Sequence, residues 1–227
     1  MKKICFLSLC IALVCGASAQ RLGGIVGAQL TTPFPVVGGY NVDFNARSGA
    51  GFHAGALFEW DITGRFGVDV AAQYSLRSYS FNLHYTSEPT TIFHRQLYYL
   101  DIPVHAYLRI PLSQGIVLAP FAGASFSLGL HGKDMAWLDN ETQKPVGKET
   151  SELFGKDKRL TRAEIAGDVG VALKYKNYQW RASYALGLNN LTKQDFDWYI
   201  ALNSKQSKYL FDGVFKLSFA YLFDLRK

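Results

Sequence analysis

Between Tyr98 and Leu130 the sequence alternates apolar and polar residues with a period of two, first along YYLDIPVHAYLRI and again along GIVLAPFAGASFSLGL. In the first arm Tyr98, Leu100, Ile102, Val104, Ala106, Leu108 and Ile110 share one face. Asp101, Pro103, His105, Tyr107 and Arg109 share the other. A period of two places successive side chains on opposite faces of a strand, so each arm is a strand with one apolar face. The arms run to about thirteen and fifteen residues, beyond the usual 5–6 of globular strands but suited to tilted strands crossing a bilayer. The segment PLSQ between them is a turn, and the whole reads as a hairpin in a membrane barrel.

The same pattern recurs along the chain, with strands expected at Leu22–Thr31, Gly51–Asp61, Phe66–Tyr79, Arg162–Lys176 and Gln179–Asn189, and a last strand around Phe211–Phe223. The connections alternate in length. Short ones fall at DITGR, where Gly64 offers a positive φ, at PLSQ and at Asn177-Tyr178. Long ones fall at residues 32–47, 80–95, 131–161 and 190–208, all expected as irregular polar loops. An even strand number with short periplasmic turns and long outer loops is the signature of outer-membrane barrels. The expected fold is therefore all-β: an eight-stranded antiparallel up-and-down transmembrane β-barrel with short periplasmic turns and long extracellular loops. Pro103 and Pro120 each remove a ladder donor, so a bulge or a missing pair is expected near each.

Composition agrees with this reading. Of 227 residues 15% are aromatic and only 19% charged, which suits a wall with aromatic girdles. Residues 1–19 read as a signal peptide, with Lys2 and Lys3, an apolar run from Ile4 to Cys15, and Ala17-Ser18-Ala19 before the cut. The barrel domain then spans residues 20–227 and keeps none of the three cysteines, Cys5, Cys10 and Cys15. Without Lys2 and Lys3 there remain 22 basic against 18 acidic residues, too even a balance to point to nucleic acid.

A soluble barrel would also carry one apolar and one polar face, but with the apolar face inward. Small residues on the polar face, such as Gly67, Gly123, Gly170 and Ser183, fit the narrow interior of a membrane barrel. Trp60, Tyr98, Tyr175, Trp180 and Tyr221 fit interface girdles on the apolar face. The blocks GFHAGALFEWDITGRFGVDVAAQYS, YYLDIPVHAYLRI, APFAGASFSLGL, GDVGVALKYKNYQWRASYALGLNNL and FKLSFAYLF resemble the PorT-like outer-membrane β-barrel family of Bacteroidetes. That resemblance implies an eight-stranded outer-membrane barrel; the family's namesake serves protein export, and most members have no assigned activity.

The lumen face collects His53, Glu59, Asp69, Arg77, Asp101, His105, Arg109, Glu164, Asp168, Lys174, Arg181 and Lys216. Buried charges are tolerable only when paired, so these residues read as a salt-bridge plug filling a narrow lumen. Asp101 and His105 stand about 13 Å apart along one strand, too far to form a catalytic pair. No G-x-S-x-G motif occurs, and no catalytic or metal-binding set and no cofactor is expected. His131, Asp134, Asp139 and Glu141 lack a fixed cation-loop pattern and read as solvated loop charges. Trp137, Leu138, Leu153 and Phe154 make the long loop sticky, as for binding a partner or folding over the barrel mouth. Phe215, Leu217, Phe219, Tyr221 and Phe223 form a terminal aromatic strand of the kind the barrel-assembly machinery reads.

The functional reading is a non-enzymatic outer-membrane protein, structural, adhesive or secretion-associated through its outer loops. Its expected partners are outer-membrane lipid, the assembly machinery, and a secretion-system or surface partner. The alternatives are a small-solute channel and an outer-membrane lipid- or peptide-hydrolysing enzyme.

Overall fold

The computed structural model describes residues 19–37, 43–85, 88–138, 145–149, 153–154, 160–191 and 208–225. In chain order the strands are β1 (Ala19–Val37), β2 (Asp43–Asp61), β3 (Phe66–Tyr85), β4 (Glu88–Leu108), β5 (Ile110–Ser113), β6 (Ile116–Leu138), β7 (Pro145–Glu149), β8 (Ala163–Tyr175), β9 (Tyr178–Gly187) and β10 (Lys208–Asp224). Eight of them form the wall. Each pairs antiparallel with its sequence neighbour in the order β1, β2, β3, β4, β6, β8, β9, β10, and β10 returns to pair with β1. The sheet closes on itself. Closure leaves no wall strand with an unpaired edge in lipid, the condition for crossing a bilayer with strands.

β5 and β7 are appendages. β5 continues β4 after a break at Arg109, whose N–H donates to the Arg65 carbonyl (2.7 Å), and β7 pairs with the far end of β6. Pro120 faces that break. Pairing on this side of β6 passes from Ile110↔Leu118 to Tyr107↔Phe121, skipping Ala119 and Pro120. Near Pro103, the β3–β4 ladder passes from Val70↔Val104 to Gln73↔Asp101, so its pairing is interrupted as well. Both prolines thus sit where a wall ladder skips pairs.

Three short turns and both described termini share one end of the barrel, the periplasmic end in barrels of this class. Left-handed backbone occurs there at Gly115 (φ 82°) and Lys176 (φ 52°). Gly64 does not need it. Its turn is closed instead by Thr63 Oγ1, which accepts from the N–H groups of Arg65 (3.3 Å) and Phe66 (2.9 Å). The β8–β9 turn is Lys176-Asn177, one residue earlier than the pattern suggests, because Tyr178 already pairs with Tyr175.

The opposite end departs further from expectation. The ladders continue through segments that read as loops: β1–β10 to Val37↔Lys208, β2–β3 to Asp43↔His84, and β3–β4 to Tyr85↔Glu88. β6 runs on to Leu138, with β7 beside it. Strands outside lipid have water on their outer face, so they need no apolar alternation and lose the signal that marks a membrane strand. β8 and β9 stop much sooner, so the outer rim is tall along β1–β4 and β6 and low at β8–β9.

The wall exposes an apolar band that includes Leu22, Val26, Phe52, Val70, Val104, Val169, Leu217 and Phe219. At its lower margin Tyr178 packs 6.5 Å from Trp180 and edge-on to Tyr221 at 5.1 Å, an interfacial girdle. The terminal-strand residues Phe215, Leu217, Phe219 and Phe223 lie exposed on this wall, with Tyr221 half-buried among them. Inside, glycine makes space for rings. A Cβ at Gly67 would collide with the Tyr107 ring, and one at Gly170 with the Phe121 ring.

Candidate functional site

Inward-facing positions on all eight wall strands converge on the lumen, and nearly every ionisable residue there meets an opposite charge. Nearest the short turns, Glu59 on β2 takes Lys174 Nζ at 2.7 Å and Arg21 at 3.0 Å. The neighbouring carboxylate, Asp61, accepts from Tyr107 OH at 2.6 Å and pairs with Arg109 at 2.5 Å. Lys174 Nζ also stands 3.8 Å from the Tyr107 ring centroid. Burial makes such pairing obligatory, since a lone charge in this interior would cost several kcal/mol.

Above lies a group centred on His105. Its Nδ1 faces Asp69 at 2.8 Å and its Nε2 faces Asp168 at 3.1 Å, so both ring nitrogens meet carboxylates. Arg181 pairs with Asp69 at 3.1 Å and lies 4.3 Å from the Phe121 ring centroid. Ser125 donates to Asp168 at 3.3 Å. A polar cavity of about 20 Å³ touches Asp69, Gln73, His105, Asp168, Arg181 and Lys216, enough for one ordered water. His53, fully buried, meets Ser218 Oγ at 2.8 Å.

Arg77 organises the third group. It donates to Glu164 at 2.5 Å, to Asp101 at 3.0 Å and to Ser127 at 2.8 Å, with Asp212 at 3.8 Å. Ser75 donates to Asp101 at 2.8 Å, and Lys216 approaches the same carboxylate at 3.7 Å. Nearest the outer end, Arg95 grips Asp134 with two bonds of 2.7 Å, the bidentate form that suits guanidinium and carboxylate.

Eleven of the twelve lumen candidates, all but Arg109, are therefore buried, and Arg109 lies at the rim with 28% of its side chain exposed. Arg21, Asp61, Arg95 and Asp212 join them without having been singled out, and Asp134 joins them against expectation. Arg21 was legible: it continues the inward parity of Gly23 and Ile25. Arg95 likewise continues that of Leu97, Tyr99 and Asp101, but lies in a segment that reads as a loop.

Asp134 is the clearest correction, being a buried ion-pair member and not a solvated loop charge. The cause is a β-bulge. β6 pairs Gly129 with Tyr99 and His131 with Tyr98, which leaves Leu130 unpaired and reverses the inward parity beyond it. His131 then faces outward, stacked 4.1 Å from Tyr98, and Asp134 faces the lumen. Asp139 and Glu141 lie outside the described residues. Leu153 and Phe154 are buried at the outer mouth; Trp137 and Leu138 belong to β6, but their side chains lie outside the described residues.

Among the described residues no group of His, Cys, Asp and Glu is arranged to hold a metal ion. The closed wall, apolar outer band and charged interior define a transmembrane β-barrel of the outer membrane. The chain belongs to the outer membrane protein beta-barrel domain family, whose model matches residues 22–193. Among solved structures it is similar to OprG from Pseudomonas aeruginosa, at 11% identity over 91% of this chain and 96% of that one, with a TM-score of 0.46. It is also similar to Ail of Yersinia pestis, at 14% identity over 89% and 98%, with a TM-score of 0.41. A third is the Neisserial surface protein A, at 15% identity over 88% and 97%, with a TM-score of 0.40. No curated protein matches the sequence.

Proposed function

We propose that this protein is a non-enzymatic outer-membrane barrel with a side-chain-filled lumen, acting through its outer end in a structural, adhesive or secretion-associated role. The observation that carries this reading is the stack of ion-paired groups around Glu59, His105, Arg77 and Arg95, which occupies the interior from one end to the other. A narrow barrel filled in this way offers its outer surface, not a pore, to other molecules. The finer affiliation we favour is the PorT-like group of Bacteroidetes, supported by the alternating blocks around Tyr98–Ile110 and Gly167–Leu191. Recognition of the terminal strand by the assembly machinery, and removal of residues 1–19, belong to the same reading.

Single-channel recording in a planar bilayer tests it. The refolded barrel should give no steady conductance steps; steady steps would establish the small-solute channel instead. Lipid or peptide hydrolysis that disappears in His105→Ala would overturn the non-enzymatic assignment.

A further inference from the structure

The outer mouth is closed by the chain's own apolar side chains. Leu153, Phe154, Leu160 and Leu191, all at most 2% exposed, pack on Tyr79, Leu97, Tyr99 and Leu210. Phe154 sets its ring edge-on to Tyr99 at 5.4 Å. The wall is carved for these groups: a Cβ at Gly129 would strike the Phe154 ring, and one at Gly132 would crowd Leu153. Leu160 N–H donates to the Leu153 carbonyl at 2.8 Å, tying these two residues together.

Under this plug the ion pairing fails. Asp212 is fully buried, yet neither carboxylate oxygen accepts a hydrogen bond. Arg77 Nη1 stands 3.8 Å away and Arg95 acts on it at longer range, but Arg77 is already committed to Glu164 and Asp101, and Arg95 to Asp134. The Tyr99 hydroxyl, within electrostatic reach of Asp212, is also without a hydrogen-bond partner, whereas that of Tyr79 lies against Arg95. Asp212 lies two residues from Leu210 on the inward face of β10, at the floor of the space the plug fills. Buried polar groups in native interiors are nearly always satisfied, so an unpaired carboxylate and an unpaired phenol beside one apolar chamber mark a place for a missing donor.

We propose that the outer mouth is a binding pocket for an apolar ligand carrying a primary ammonium. Asp212 takes the cation, the Tyr99 phenol oxygen accepts a second N–H, and the ligand's apolar body replaces Phe154. Phe154 thus competes with the ligand for its own pocket. The proposal rests on reading the outer end as the functional end, and supplies the chemistry of its partner.

The probes are 2-phenylethylamine and its neutral analogue 2-phenylethanol, titrated calorimetrically into the full barrel in dodecylmaltoside. Heat-modifiable gel mobility verifies folding of each variant. Phe154→Ala should bind the amine at least tenfold more tightly than the wild-type barrel does, and at least tenfold more tightly than it binds the alcohol. Adding Asp212→Asn to Phe154→Ala should abolish the preference for the amine. Equal binding of amine and alcohol by Phe154→Ala would overturn the proposal, as would an amine preference that survives Asp212→Asn. If the double variant does not fold, the amine-to-alcohol ratio in Phe154→Ala alone decides. A conducting wild-type barrel would refute the filled-lumen reading and leave this comparison standing.

Discussion

Replacing Arg77 by methionine probes the lumen network at its most connected point. Methionine keeps much of the volume and removes the charge, leaving Asp101 and Glu164 without their guanidinium. Two charge-assisted hydrogen bonds at about 1.5–3 kcal/mol each, plus about 1 kcal/mol for Ser127, bound the loss at roughly 4–7 kcal/mol. Relaxation and entering water reduce such values, and removal of one partner from a buried pair ordinarily costs about 3–5 kcal/mol. The expected cost is therefore about 4 kcal/mol, near a thousandfold in the unfolding equilibrium. The assay is urea unfolding in lipid vesicles, followed by tryptophan fluorescence and by gel mobility without heating. Glu164→Gln in the same chain should restore about 2 kcal/mol, because it removes the carboxylate with the shortest contact to Arg77. An Arg77→Met barrel within about 1 kcal/mol of wild type, or a double variant with no restoration, would refute the view that the interior stands on paired charge.

Lys174→Met should cost less than Arg77→Met, about 1–3 kcal/mol, because Arg21 still holds Glu59 at 3.0 Å; the same unfolding series ranks the two. Gly170→Leu should drive a side chain into the Phe121 ring, costing about 1–3 kcal/mol or preventing closure, visible as loss of the heat-modifiable band. Val169→Lys, midway along β8 on the lipid face, should cost about 2–4 kcal/mol in vesicles, while Arg181, inward on β9, is native to the lumen. Equal tolerance of lysine at both faces would overturn the assignment of wall and interior.

The membrane-crossing part of the fold was legible because lipid and lumen impose opposite demands on alternate residues. Wherever both constraints act, as from Phe66 to Leu76 or from Tyr98 to Leu108, parity alone assigns the face. Beyond the bilayer one constraint disappears. That is why residues 80–95 read as a loop, though they continue the β3–β4 ladder almost to its turn. Parity also assumes an uninterrupted ladder. The single extra residue at Leu130 reverses it, and Asp134 and His131 exchange sides from where the pattern puts them. Pairing across the lumen was not legible at all, because Arg77 meets Glu164 across 87 residues and Lys174 meets Glu59 across 115. Sequence fixes which face a charge occupies; the shear of the closed sheet selects its neighbour.

Closure of the β1–β10 seam has a kinetic consequence. β10 brings Lys216, Asp212 and Ser218 to Asp101, Arg77 and His53, while β1 brings Arg21 to Glu59. Until those two strands meet, each half-built cluster carries charge that its final partner has yet to neutralise, and water must remain inside. Expulsion of that water is thus tied to the joining of the chain's first and last strands, the contact most distant in sequence and the slowest to find by diffusion of the chain. Insertion of this barrel should accordingly proceed as a single late event, with few partly closed forms that are dry inside.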